Sequence, residues 1–184
     1  MPVLEKTNQL LCLHHSVKLE HPSYHGNTLS QTFLDSLPSK IYGDMNRELS
    51  FRQGLASSLT TLQRLLGKDK VRCTFILPHY HTADLEVHLD VDGRPVQIDG
   101  VSDQSTKPDV HKRIAIEVTG QNQYAVDSEM LLGNPRSKLR QLNKLGYITH
   151  VISATDAKKL DTMDSPSREE YLRSILRTEL KAKL

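Results

Sequence analysis

Arg113-Ile-Ala-Ile-Glu-Val-Thr-Gly120, followed by Ser137-Lys-Leu-Arg-Gln-Leu-Asn-Lys-Leu-Gly-Tyr147, decides how this chain is read. The first segment is an apolar run with one carboxylate, Glu117, near its end and a glycine just beyond it. The second is a basic helix, Arg136 to Leu145, which stops at Gly146 and enters another apolar run. Strand, helix, strand predicts a right-handed crossover that sets the strands over 114–118 and 147–153 parallel. A carboxylate in a buried strand is costly unless it meets a partner or a metal. Glu117 is therefore the first candidate for chemistry.

Working outward, Val71 to Leu77 reads as a strand, and Leu85 to Asp90 alternates apolar and polar residues as a half-exposed strand does. Asp92-Gly93 signals a hairpin, with Pro95 to Ile98 returning from it. The polar stretch 99–112 reads as a loop. Upstream, Leu10, Leu11, Leu13 and Val17 recur at helical spacing within 4–19. A short helix is expected over 30–37 and a longer one within 39–67. Asp44 or Asn46 can cap that longer helix, and Gly67 can stop it. Downstream, a short helix is expected over 156–160, and a last one starts at Ser165 with Pro166 in its first turn and runs to about Leu184. The result is an α/β chain: a helical region over 1–68, then a mixed sheet flanked by helices over 69–184.

The 184 residues are 37% hydrophobic and 25% charged, the composition of a globular chain, and no apolar run is long enough to span a membrane. A net charge of +2 makes no bulk case for nucleic acid, so such a case rests on local patches. The two cysteines, Cys12 and Cys73, argue against a disulfide framework or a cysteine zinc site and fit a reducing compartment. Nine histidines include the adjacent His14 and His15, and His79 and His81 around Tyr80, but none has zinc-ligand spacing. The opening Met-Pro-Val-Leu-Glu-Lys has no signal-peptide or transit-peptide character and reads as the middle of a helix, as in the C-terminal part of a longer protein.

Several short segments, taken in order, resemble the RAP domain, an RNA-binding domain. They are Ile114-Ala-Ile-Glu117-Val-Thr-Gly120, Leu131-Leu-Gly133, Lys138-x-Arg140-x-Leu142, Leu145-Gly146-Tyr147 and Tyr171-Leu172. That domain is similar to the PD-(D/E)XK nuclease superfamily and to the very-short-patch-repair (Vsr) endonuclease. Upstream, Leu19-Glu20-His21-Pro22-Ser-Tyr24-His-Gly26 and Leu85-Glu86-Val87-x-Leu89-Asp90-x-Asp92-Gly93-x-Pro95 resemble the FAST kinase domain-containing family. The Asn122-Gln123-Tyr124 triplet points within that family to its fifth member. The resemblance implies a restriction-endonuclease-like fold, residence in the mitochondrial matrix, and binding and processing of mitochondrial transcripts. It also implies an upstream helical part of the same protein as a partner, and no membrane. There is no kinase Gly-rich loop and no kinase catalytic triplet, so kinase chemistry is discounted.

Phosphodiester cleavage on such a fold needs carboxylates converging on a divalent cation, Mg²⁺ or Mn²⁺, and a cationic side chain. Glu117 is the best-placed carboxylate, with Asp99 as its expected partner at a strand end and Glu86 or Asp90 as competitors. The expected metal ligands are thus Asp99, Glu117 and Glu86, and Glu48 can add a helix carboxylate. Where the superfamily lysine belongs, this chain has Thr119, so Lys138 or Arg140 must approach from the helix, and Lys138 completes a catalytic set with Glu117 and Asp99. Arg136, Lys138, Arg140 and Lys144 crowd one helix and form the expected RNA-binding surface. Tyr124 and Tyr147 are candidates to stack bases. The alternatives are a non-catalytic RNA-binding module on a degenerate nuclease fold, and a protein-interaction module using the N-terminal helices.

Overall fold

The computed structural model describes residues 2–37, 43–98 and 110–180. Helix α1 spans Pro2–Glu20. The short α2 (Gln31–Asp35) is capped by the Ser30 hydroxyl, which accepts from Phe33 N at 3.2 Å. The long helix expected within 39–67 is two helices, α3 (Met45–Phe51) and α4 (Leu55–Leu66). Asp44 caps α3, accepting from Asn46 N and Arg47 N. The break falls at Arg52-Gln53-Gly54: Arg52 is extended, and Gly54 has φ +74°, a conformation that favours glycine. A Cβ on Gly54 would lie 2.6 Å from the Ala157 carbonyl oxygen, so the chain also needs glycine there for close approach.

Strand β1 (Val71–Thr74) is shorter than the run 71–77 suggested, because the chain turns through Pro78–Tyr80. Strands β2 (Asp84–Leu89), β3 (Pro95–Val96), β4 (Lys112–Val118) and β5 (Tyr147–Ile152) complete one sheet in the order β1-β2-β4-β5, with β3 pairing β2 beyond the end of β1. The Asp92-Gly93 hairpin forms, with His88 opposite Val96. Pairing is antiparallel except between β4 and β5, which run parallel as the crossover predicted. The crossover carries α5 (Gly133–Lys144).

Period-two alternation then sorts side chains onto two faces. Leu85, Val87, Ile114, Ile116, Val118 and Ile152 form the main core, with Leu55, Leu62 and Leu66 of α4 packed on it. The same core takes Leu160 from α6 (Ala154–Thr162) and Leu172 and Leu176 from α7 (Ser165–Leu176). Helix α6 is longer than expected because Ser153 caps it. Asp164, not Ser165, caps α7, and α7 ends at Leu176; the stretch expected to continue it, 181–184, lies outside the described residues.

The opposite face carries Asp84, Glu86, Ala115 and Glu117, and α5 covers it. Helix α1 lies against α5: Glu20 accepts two hydrogen bonds from Arg140, and Gln141 donates to Glu20 and Ser16. No helix among the described residues is long and apolar enough to cross a membrane.

Candidate active site

The β2–β4 register sets Asp84 directly opposite Glu117. Both are fully buried, and Lys138, in the second turn of α5, is 1% exposed. The Lys138 ammonium lies 2.8 Å from Asp84 Oδ1 and donates to Glu117 Oε2. It also donates to the carbonyl and hydroxyl oxygens of Thr82, at 2.9 and 2.8 Å. From α3 and the break after it, Arg52 donates to Ala83 O at 3.0 Å and lies 3.5 Å from Glu117 Oε1. Glu48 holds Arg52 at 2.6 Å and accepts from Ala83 N at 3.1 Å.

Two carboxylates meet at this point with one buried ammonium and one guanidinium. Burial pushes the Asp84 carboxyl up to about 7; Lys138 works against that rise and Glu117 adds to it. Asp84 Oδ2 and Glu117 Oε1 have no hydrogen-bond donor while both groups are ionised. Hard, unsatisfied oxygens of this kind suit Mg²⁺ or Mn²⁺, which is often held by one or two carboxylates plus substrate phosphate. Among the described residues no group of three or more His, Cys, Asp or Glu side chains is placed to hold a metal by itself.

A cleft of about 480 Å³ opens beside this cluster, lined by Arg47, Glu48, Phe51, Arg52, Thr82 and the 119–123 turn. Phe51 is 82% exposed at its edge. Thr119 donates to Ile152 O and pairs with the Tyr124 hydroxyl. Tyr124 is thereby tied into the fold.

The structure thus joins Glu117 to Lys138, and the carboxylate opposite Glu117 is Asp84. Asp99 lies outside the described residues. Glu86 shares the face of Asp84 but is engaged elsewhere. Its Oε1 accepts from the Tyr147 hydroxyl at 2.7 Å and pairs with His88 Nε2 at 2.8 Å, and its Oε2 accepts from Arg72. Burial opposes the Glu86 charge, but these partners outweigh it and hold the group to about 2. Asp90 is a turn residue, accepting from Asp92 N and Arg94 N. Of the basic helix, Arg136 is exposed, Lys138 is buried, Arg140 is bound to Glu20, and Lys144 donates to Glu20 O. Sequence reasoning missed Asp84, Thr82 and Arg52. The signal for Asp84 was available, since it begins the alternation that was taken to start at Leu85.

The sequence matches the family profile of FAST kinase-like protein, subdomain 2, over residues 7–97 and that of the RAP domain over residues 116–175. It is similar to the mitochondrial FAST kinase domain-containing protein 3 of Mus musculus, 39% identical over 74 residues, which are 39% of this chain and 10% of that protein. Protein 5 of Mus musculus is 28% identical over 93 residues, covering 50% of this chain and 12% of that protein. Protein 1 of Xenopus laevis is 25% identical over 149 residues, covering 68% of this chain and 18% of that protein. The chain spans between about a tenth and a fifth of the length of the curated relatives it matches, and the relatives do not single out member five. No solved structure matches. With a FAST kinase-like subdomain 2 followed by a RAP domain, the chain belongs to the FAST kinase domain-containing family.

Proposed function

We propose that this chain binds RNA in the mitochondrial matrix and cuts it, as a metal-dependent endoribonuclease on a restriction-endonuclease-like fold. The RAP domain supports the RNA, and the relatives' description as mitochondrial supports the location. The observation that carries the chemistry is the meeting of Asp84, Glu117 and Lys138 beside a polar cleft. Asp84 and Glu117 would hold the cation, which when bound polarises a phosphate and lowers the pKa of a nearby water. Lys138, fixed by Thr82, supplies a positive charge that needs no reorganisation as the phosphate gains charge. Arg47 and Arg52 line the cleft and can position the backbone, and exposed Phe51 can stack a base. Mitochondrial transcripts are the proposed substrate.

The test is cleavage of a structured RNA by purified protein in Mn²⁺ or in chelator, with Glu117→Gln and Asp84→Asn beside wild type. The expected loss is about 10²-fold or more in each variant, with circular dichroism showing that the fold survives. Wild-type cutting by both variants would refute the assignment. A second reading, RNA binding without turnover, is favoured by one observation: neither carboxylate has any exposed surface. It predicts salt-sensitive RNA binding with no metal-dependent cleavage by wild type.

A further inference from the structure

The face that carries Asp84 and Glu117 continues to a second cleft, of about 550 Å³, at the C-terminal end of α5. Lys138 donates to Thr82, which lines the first cleft, and Lys144, in the last turn of the same helix, lines the second. Along β4 the two ends are marked by Glu117 and Arg113, roughly 13 Å apart for four strand residues. The second cleft is lined by three cations, Arg72, Arg113 and Lys144, against one carboxylate, Glu86. That local excess of positive charge stands out in a chain whose net charge is only +2.

The cations are arranged in a particular way. The Arg113 guanidinium lies over the Tyr147 ring, 4.5 Å from its centroid, and donates to Leu145 O. Tyr147 is in turn held by buried Glu86 through its hydroxyl, at 2.7 Å. Glu86 also takes Arg72 through Nε and Nη2, at 3.1 and 2.7 Å. Glu86 therefore fixes both the ring beneath Arg113 and the guanidinium of Arg72. A planar cation backed by an aromatic ring is a surface on which nucleobases stack, and single-stranded RNA is commonly read in this way. The volume lies within the ordinary range of small-ligand pockets.

We propose that this second cleft is a nucleotide subsite for single-stranded RNA, with a base stacked on the Arg113–Tyr147 platform and its phosphate held by Arg72 and Lys144. The proposal rests on the RNA-binding reading above. It adds a second point of attachment, so that RNA is gripped at both ends of β4.

The test is photo-crosslinking of the chain to a single-stranded RNA carrying 4-thiouridine, in chelator, with crosslinked peptides located by mass spectrometry. Affinity and salt dependence are measured alongside for wild type and Lys144→Gln, an exposed position whose substitution leaves the buried Glu86 network in place. Crosslinks to peptides containing 72–76 or 145–147 are expected. Lys144→Gln should bind about tenfold more weakly, with a salt slope shallower by roughly 0.7, as for the loss of one phosphate contact. If RNA binds but crosslinks fall only at 47–53 and 119–123, and Lys144→Gln binds as wild type does, the subsite is refuted and the RNA-binding reading stands. Absence of any RNA binding would overturn both.

Discussion

Asp84 and Glu117 face each other across the β2–β4 ladder, each directly opposite the other, with the Lys138 ammonium bridging them. Like charges at directly opposed strand positions repel, and here both side chains are fully buried. The arrangement persists only because cations are brought in from two separate elements, Lys138 from α5 and Arg52 from the turn after α3.

Removing the ammonium should therefore be costly. Lys138→Met leaves two opposed buried carboxylates with only Arg52 nearby, and stability measured by urea unfolding at pH 8 should fall by about 3–5 kcal/mol. At pH 5 the fall should be smaller, because Asp84 then carries a proton. A loss under about 1 kcal/mol at pH 8 would mean that Lys138 is not holding the pair together.

The pH dependence has a defined sign. The folded state raises Asp84 from its ordinary 3.8 to about 7, chiefly by burial, so the folded state binds this proton more tightly than the unfolded chain does. Its contribution to stability is complete below pH 4 and is lost as pH climbs through 7. His15 acts in the opposite sense. Burial, followed by the neighbouring His79, His14 and Lys18 charges, lowers it to about 4, so its contribution is present above 6.5 and lost as pH falls through 4. Relative to wild type, Asp84→Asn should become progressively more stable as pH rises from 4 to 8. Parallel curves for the two proteins across that range would contradict the burial of an ionisable Asp84.

Gly54 sets the direction in which α4 leaves α3 and, with it, the place where Arg52 arrives. Gly54→Ala combines a left-handed φ with a clash against the Ala157 backbone. It should cost at least about 2 kcal/mol, read as a lowered Tm. A neutral Gly54→Ala would show that α6 can retreat from this contact at no cost.

Phe51 offers the converse case, a side chain whose loss should affect binding and not folding. Phe51→Ala removes an 82% exposed ring and should change stability by no more than about 0.5 kcal/mol. Single-stranded RNA affinity should weaken by about 1–3 kcal/mol, the range for one stacked base. Unchanged affinity in a fluorescence titration would remove Phe51 from the RNA path.

Local patterns made much of the fold legible. The crossover Ile114–Val118, basic helix, Tyr147–Ser153 was readable because strand alternation, helical charge spacing and the Gly146 stop agree with one another. The break at Gly54 was not, since an apolar helical pattern runs through it and only contact with Ala157 makes glycine necessary. Glu117 could be named in advance because it is polar in an otherwise apolar strand, and Lys138 because it stands in the basic helix that follows that strand. Asp84 was legible as the first polar position of the β2 alternation, but which of that strand's carboxylates meets Glu117 was not, because register is a tertiary property: a shift of two residues along β2 would have presented Glu86 in place of Asp84. The reading of α5 placed Arg136, Lys138, Arg140 and Lys144 together on an RNA-facing surface. Burial and the Glu20 contacts distinguish them, and those contacts join residues more than a hundred positions apart.

Chain order gives the bridging lysine a further consequence. Glu48, Arg52, Asp84 and Glu117 all leave the ribosome before Lys138, and Lys138 reaches them only after the crossover to α5 has been made. Until then the sheet face holds two facing acids and no ammonium. The cluster is thus completed only with α5, and a nascent chain that stops short of it carries the facing acids without the ammonium that bridges them.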